Sequence, residues 1–166
     1  APTRELAMQS AVVLEAAGQT IGISTLCVYG GVPKHEQRSQ LKKGVQVLVA
    51  TPGRLMDLMQ EGACDVSKVS FLVLDEADRM LDMGFEQDMR TIVKECRKDR
   101  QTVMFSATWP QSIQQIASEF LRKDPARITV GSADLSANHR VQQIVEVVDP
   151  AIKDRRLVEM LGKYHD

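Results

Sequence analysis

The order of segments along the chain predicts an α/β fold, a parallel sheet with helices on both faces. Three observations carry that prediction. Short apolar runs alternate with segments of helical period for most of the length. The runs at 45–50 and 71–74 are continuously apolar, the mark of strands covered on both faces. The 166 residues are 43% hydrophobic and 26% charged, the size and balance of about one globular domain.

The elements follow in order. Residues 4–20 read as a helix with Leu6, Val13, Ala16 and Ala17 on one face. Residues 24–29 read as a strand ending at Gly30-Gly31. A short polar helix over 33–43 closes at Gly44. After the strand at 45–50, Pro52 at a first helical position starts a helix that stops near Gly62. The strand at 71–74 comes next. Phe85, Met89, Ile92, Val93 and Cys96 keep helical spacing, and 101–105 is a strand. Ile113, Ile116, Ala117, Phe120 and Leu121 form the apolar stripe of an amphipathic helix. Residues 126–130 read as a further strand. The stretch 131–138 has linker composition. Beyond it, 141–148 reads as a strand and 151–164 as a helix with Leu157, Met160 and Leu161 inward. That last piece is too small to bury a core alone.

Composition narrows the function classes. A net charge of −1 provides no global basic field, so any nucleic-acid contact must use a local patch or backbone amides. Cys27, Cys64 and Cys96 form no C-x-x-C pair and read as reduced, packed thiols of an intracellular protein. His35, His139 and His165 lack ligand spacing and read as surface residues. No apolar run approaches the roughly 18 residues of a membrane span.

The chemistry concentrates at Asp75-Glu76-Ala77-Asp78, directly after Phe71-Leu72-Val73-Leu74. Two adjacent carboxylates then stand at a strand's carboxyl end, where open α/β sheets bind ligands. Paired acids there suit a hydrated Mg²⁺ and a water attacking a phosphate. The same residues also fit an Asp cap followed by a solvated acidic turn. No G-x-x-x-x-G-K-[ST] phosphate loop occurs in the sequence.

Other motifs stand in a fixed order around this one: Pro2-Thr3-Arg4-Glu5-Leu6-Ala7, Gly30-Gly31, Thr51-Pro52-Gly53-Arg54-Leu55 and Ser106-Ala107-Thr108. The ordered set resembles the DEAD-box RNA helicases, ATP-dependent enzymes with two RecA-like domains. The resemblance covers nearly the whole chain. It implies an incomplete first RecA-like domain over 1–131, a linker over 132–140 and the start of a second domain over 141–166. Trp109-Pro110, Ala137-Asn138-His139 and the following Gln142–Val147 segment resemble the fungal and plant branch linked to pre-ribosomal RNA.

The resemblance assigns roles. Asp75 would hold Mg²⁺ through bound water, and Glu76 would position or activate the nucleophilic water. Both would serve as the metal-handling pair. Asp78 would pair with Ser106-Ala107-Thr108, coupling nucleotide state to domain closure. Thr108 also has capping-box spacing to Gln111. Pro2, Thr3, Arg4, Gly31, Thr51, Pro52, Gly53 and Arg54 would line an RNA track. Helix N-termini and glycine backbone suit phosphate there, though each site alone also fits an ordinary helix start or turn. Contacts of this kind carry no base sequence. Gly84-Phe85 is typical of the family, with Phe85 read mainly as core.

The expected cofactors are ATP and Mg²⁺, and the expected partners are RNA, ATP and protein cofactors, with no membrane. The expected place is the nucleus or nucleolus, with the cytoplasm as alternative. The function implied is coupling of ATP binding and hydrolysis to RNA binding and local duplex unwinding. Without its phosphate loop the segment alone is expected to hydrolyse no ATP, and unpaired strand edges make its isolated folding marginal. The competing reading is a catalytically inactive RNA-binding or partner-docking module. An unrelated Mg²⁺ phosphohydrolase would not need the RNA-track motifs.

Overall fold

The computed structural model describes residues 1–131 and 141–164. The chain divides into two compact units, Ala1–Pro125 and Ala126–Asp166.

The first unit alternates strand and helix: α1 (Arg4–Gln19), β1 (Thr25–Val28), α2 (Lys34–Leu41), β2 (Val47–Ala50), α3 (Pro52–Gln60), β3 (Phe71–Leu74), α4 (Ala77–Asp82), α5 (Glu86–Glu95), β4 (Gln101–Met104) and α6 (Gln111–Phe120). Both strand pairings among the described residues are parallel, as the alternation demands. β1 pairs with β2 in the register Thr25–Val47 to Val28–Ala50. β3 pairs with β4 in the register Phe71–Gln101 to Leu74–Met104.

The strands form two separate pairs where the sequence predicts one sheet. Among the described residues no strand joins β2 to β3. β3 consequently leaves Phe71 and Val73 about half exposed despite their apolar character (55% and 46%). The two halves meet instead through helices. Leu55 of α3, Val66, and Ile92 of α5 with neighbouring Cys96 form one buried cluster. Leu74, Ala77, Met80, Met89, Val93, Ile113, Ile116 and Phe120 form the largest core, on β3, α4, α5 and α6. Phe85 packs against it, in line with its place in the helical stripe.

Three sequence expectations are corrected. The buried face of α1 is Ala7, Ala11 and Gly18, while Val13 is 68% exposed and Ala16 and Ala17 face outward. Small residues let this helix approach closely. A side chain at Gly18 would meet the Ile23 carbonyl oxygen at 2.6 Å. A short helix, α4, begins within the acidic motif at Ala77, where the sequence reading places no helix between the strand at 71–74 and the segment from Phe85. It ends at Gly84, which takes φ +80°. There Gly84 N–H donates to the Leu81 carbonyl and Phe85 N–H to the Met80 carbonyl, the paired bonds of a Schellman stop.

The third correction concerns the second unit. The expected strands at 126–130 and 141–148 have no ladder, and Ile128, Val130 and Val147 are almost fully exposed. β-branched residues favour a half-buried pleated surface, and among the described residues no neighbouring strand supplies one. The helix is present as α7 (Lys153–Tyr164), led in by a 3₁₀ turn at Pro150–Ile152. Asp149 caps that turn, accepting from Ala151 N–H at 2.8 Å. Leu157 and Leu161, expected inward, are each 56% exposed. The predicted linker at 132–140, with Asn138 and His139, lies outside the described residues, as does His165.

Candidate active site and nucleic-acid interface

Two clusters form on the first unit, each at the carboxyl end of a strand pair. The first holds the acids. Leu74 ends β3, and Asp75 and Glu76 follow at once, both half-buried. Glu76 sits in the left-handed region at φ 52°, ψ 54°, where a side chain costs about 1–2 kcal/mol. It forms the entry to α4, and Arg79 lies 4.0 Å from its carboxylate. Asp75 makes no side-chain hydrogen bond or salt bridge among the described residues.

Backbone and side chains tie this loop to the one after β4. Phe105 N–H donates to the Leu74 carbonyl at 2.8 Å, and Ala77 N–H donates to the Phe105 carbonyl at 2.9 Å. Asp78 Oδ2 accepts from the Thr108 N–H at 2.9 Å and from the Thr108 hydroxyl at 2.8 Å. The Ser106 hydroxyl donates to the Thr108 carbonyl at 2.8 Å and lies beside Asp78 as well. Burial pushes the Asp78 carboxyl up, but the donors from Thr108, the Arg79 amide and Ser106 outweigh it. The net result is a carboxyl held below its ordinary range. Thr108 is therefore not the cap of α6. Pro110 occupies that position without a side-chain bond, and the Thr108 hydroxyl has a carboxylate acceptor instead.

The donor set suits Mg²⁺. Asp75 and Glu76 supply hard oxygens, and Asp75 is not engaged by any cationic side chain among the described residues. Among those residues no group of three or more metal-ligating side chains gathers.

The second cluster lies around β1 and β2. Pro2 is fully buried, and Thr3 caps α1, accepting from Leu6 N–H at 3.3 Å. Arg4 is exposed and pairs with Glu5 at 2.7 Å. Its Nη1 lies 3.5 Å from where a side chain on Gly31 would begin, so Arg4 and Gly31 are neighbours. Gly31 takes φ +83°, a conformation open to glycine and strained for other residues. Thr51 is buried at the entry to α3, and its N–H donates to the Val28 carbonyl at 3.0 Å. Pro52 takes the first helical position, and Gly53 lies close to the Phe85 ring. The guanidinium of Arg54 donates to the Val32 carbonyl at 2.9 Å and to Gln37 Oε1 at 3.0 Å. The three expected backbone-contacting motifs thus meet through Arg4, Gly31 and Arg54.

A DEAD/DEAH box helicase model matches residues 1–116. The chain belongs to this family. It is 56% identical over 164 residues to DEAD-box ATP-dependent RNA helicase 5 of Oryza sativa subsp. japonica, covering 99% of this chain and 32% of that protein. It is 55% identical over 166 residues to the ATP-dependent RNA helicase DBP3 of Saccharomyces cerevisiae, covering 99% and 31%. The chain therefore spans about a third of the length of these curated relatives, which come from a plant and a fungus. A solved structure described as a hypothetical ATP-dependent RNA helicase from Sulfolobus tokodaii superposes with TM-score 0.69 at 36% identity. It covers 74% of this chain and 37% of that one. A RecA-like domain is thereby the fold of the matched part.

One residue of the DEAD-box chain carries no signal in the sequence, Gln37. It is 6% exposed, on a helix whose residues are polar except for the last, Leu41. Its partners are a guanidinium and a backbone carbonyl, which leave no local pattern.

Proposed function

We propose that the chain forms part of the catalytic core of an ATP-dependent RNA helicase. The observation that carries this reading is the junction of two loops at the carboxyl ends of β3 and β4. There Asp78 is bonded twice to Thr108 beside Asp75, whose carboxylate has no side-chain partner among the described residues, and the strained Glu76. In the whole protein Asp75 and Glu76 would hold Mg²⁺. Held by these residues, Mg²⁺ would supply charge neutralisation at the nucleotide phosphates. Glu76 orients the attacking water and accepts its proton, and its fixed backbone holds the carboxylate in one place. Thr108 and Ser106 report the state of this loop through Asp78.

RNA lies along the second cluster. Pro2, Thr3 and Arg4 at the start of α1, Gly31, and Thr51, Pro52, Gly53 and Arg54 at the start of α3 present amides, helix dipoles and positive charge to the sugar–phosphate backbone. Contact with 2′-hydroxyls favours RNA over DNA. ATP-driven closure then bends one strand and opens a short duplex. The resemblance of Trp109-Pro110 and Gln142–Val147 to the fungal and plant branch favours a role on pre-ribosomal RNA, with the nucleolus as the place of action. Protein cofactors and tails select the RNA.

The test is Glu76→Gln in the full-length protein. RNA-stimulated phosphate release is expected to disappear while ATP-dependent RNA binding persists. Unchanged turnover would overturn the enzymatic reading and leave a binding module in its place.

A further inference from the structure

The RNA-track reading requires the Gly30-Gly31 loop to hold one shape, and glycine pairs do not do so by themselves. The structure contains a device that fixes it. Tyr29 and Val32 flank the two glycines, and both of their carbonyls are pinned. Gln37 Nε2 donates to the Tyr29 carbonyl at 3.2 Å. Arg54 Nη2 donates to the Val32 carbonyl at 2.9 Å, and Arg54 Nη1 donates to Gln37 Oε1 at 3.0 Å. The chain of bonds runs from Tyr29 through Gln37 and Arg54 to Val32. It closes a ring around the loop and links it to the first turn of α3.

Chemistry leaves this bridge one arrangement. A carbonyl only accepts and a guanidinium only donates, so both ends of the Gln37 amide are spoken for and its orientation is forced. Gln37 is one of two buried polar residues among the described positions, and the other, Thr51, opens α3 beside Arg54. A buried amide that satisfies partners on two sides is costly to replace with an apolar group. By contrast, the other link between α2 and α3 is exposed: Lys34 and Arg38 with Glu61, and Lys34 with Asp57 at 3.7 Å. That link holds the helices but does not touch the loop.

We infer that Gln37 is a positioning residue for RNA binding, acting through Arg54 and the Tyr29 and Val32 carbonyls to hold the diglycine loop in its binding shape. This rests on the RNA-track reading above. Arg54 thereby acquires a second role, since both terminal nitrogens of its guanidinium serve the bridge.

The experiment uses the full-length protein with three variants. Gln37→Leu removes both halves of the bridge at similar volume. Gln37→Glu keeps the acceptor for Arg54 and loses the donor to Tyr29. Glu61→Gln weakens the exposed helix link and serves as the control. Two things are read: the Kd for single-stranded RNA at fixed salt with a non-hydrolysable ATP analogue, and amide exchange over 30–34. Gln37→Leu is expected to weaken RNA about tenfold and to speed exchange in that segment. ATP KM, and kcat at saturating RNA, stay within about twofold of wild type on the same argument. Gln37→Glu falls between, and Glu61→Gln matches wild type.

Unchanged RNA affinity with unchanged exchange would overturn the inference. Faster exchange with unchanged affinity would also overturn it, by showing a held loop that RNA does not use. If Gln37→Leu unfolds the domain, Gln37→Glu decides, and wild-type affinity in that variant counts against the inference. Wild-type protein that binds no RNA would sink the RNA-track reading itself. The exchange measurement would still report whether the bridge holds the loop.

Discussion

The two halves of the first unit solve opposite problems. Around β3 and β4, the acid loop stores strain and leaves Asp75 without a side-chain partner among the described residues. Glu76 is left-handed without being glycine, and Asp75 makes no side-chain bond or salt bridge among the described residues. Around β1 and β2 the reverse holds. Gln37 and Thr51 are buried, and Arg54 is bonded on both terminal nitrogens. On the proposed function, the contrast follows from what each half would have to do. A site that handles a metal-bound water must keep carboxylates available and fixed, and backbone strain accomplishes that. A surface that grips a flexible polyanion must lose little entropy on binding, so it is ordered beforehand.

The comparison is broken most directly by crossing the two halves. Glu76→Gln in the full-length protein is expected to lower RNA-stimulated ATP turnover by at least about 100-fold, the lower range for a positioned acid–base group. RNA affinity should hardly move. Arg4→Ala is expected to do the converse. It weakens RNA binding and flattens the dependence of log Kd on log salt by about 0.7, the value for one phosphate contact on a single strand. ATP turnover at saturating RNA stays near wild type. If both variants lose the same property, the division between the halves is false.

A smaller effect tests the tie between the acid loop and the loop after β4. Asp78→Ala removes the acceptor of two Thr108 bonds and is expected to cost about 1 kcal/mol, a modest figure because the carboxylate is partly solvated. The pH dependence has a definite sign. The Asp78 carboxyl lies below its unfolded value, which is near 3.9. The gap between wild type and variant should therefore be full at pH 5 and above. It should narrow as pH falls below about 4 and Asp78 becomes protonated in the folded state too. Urea unfolding followed by Trp109, the single tryptophan, would read this. A gap that grows in acid would contradict the assigned bonds.

The smallest effect sharpens the point about strain. Glu76→Gly relieves the left-handed backbone and is expected to stabilise the fold by about 1 kcal/mol. Catalysis is lost along with the carboxylate. A neutral or destabilising result by the same unfolding measurement would mean that the loop is not strained at Glu76.

Much of this is legible in the sequence for identifiable reasons. Phe71–Leu74 reads as a strand because four apolar residues in a row end abruptly on charge. The acid and Ser-Ala-Thr motifs are contiguous, so their order alone tells. The packed face of α1 is hidden because large apolar residues dominate a helical pattern, whereas the helix packs through Ala7, Ala11 and Gly18. The strands expected at 126–130 and 141–148 rest on β propensity, which cannot supply a partner. Gln37 escapes sequence reading for a different reason. Its bonds span 8 and 17 residues, and one of them ends on a carbonyl that every residue type shares.

The three thiols have a practical consequence for watching this molecule move. Burial raises the Cys27, Cys64 and Cys96 thiols above their ordinary value, so little thiolate exists near neutrality. A maleimide dye would react slowly with all three. One new cysteine at an exposed position such as Gln9 would take the dye selectively, leaving the native thiols in place. The segment comes with a quiet background for fluorescence distance measurements.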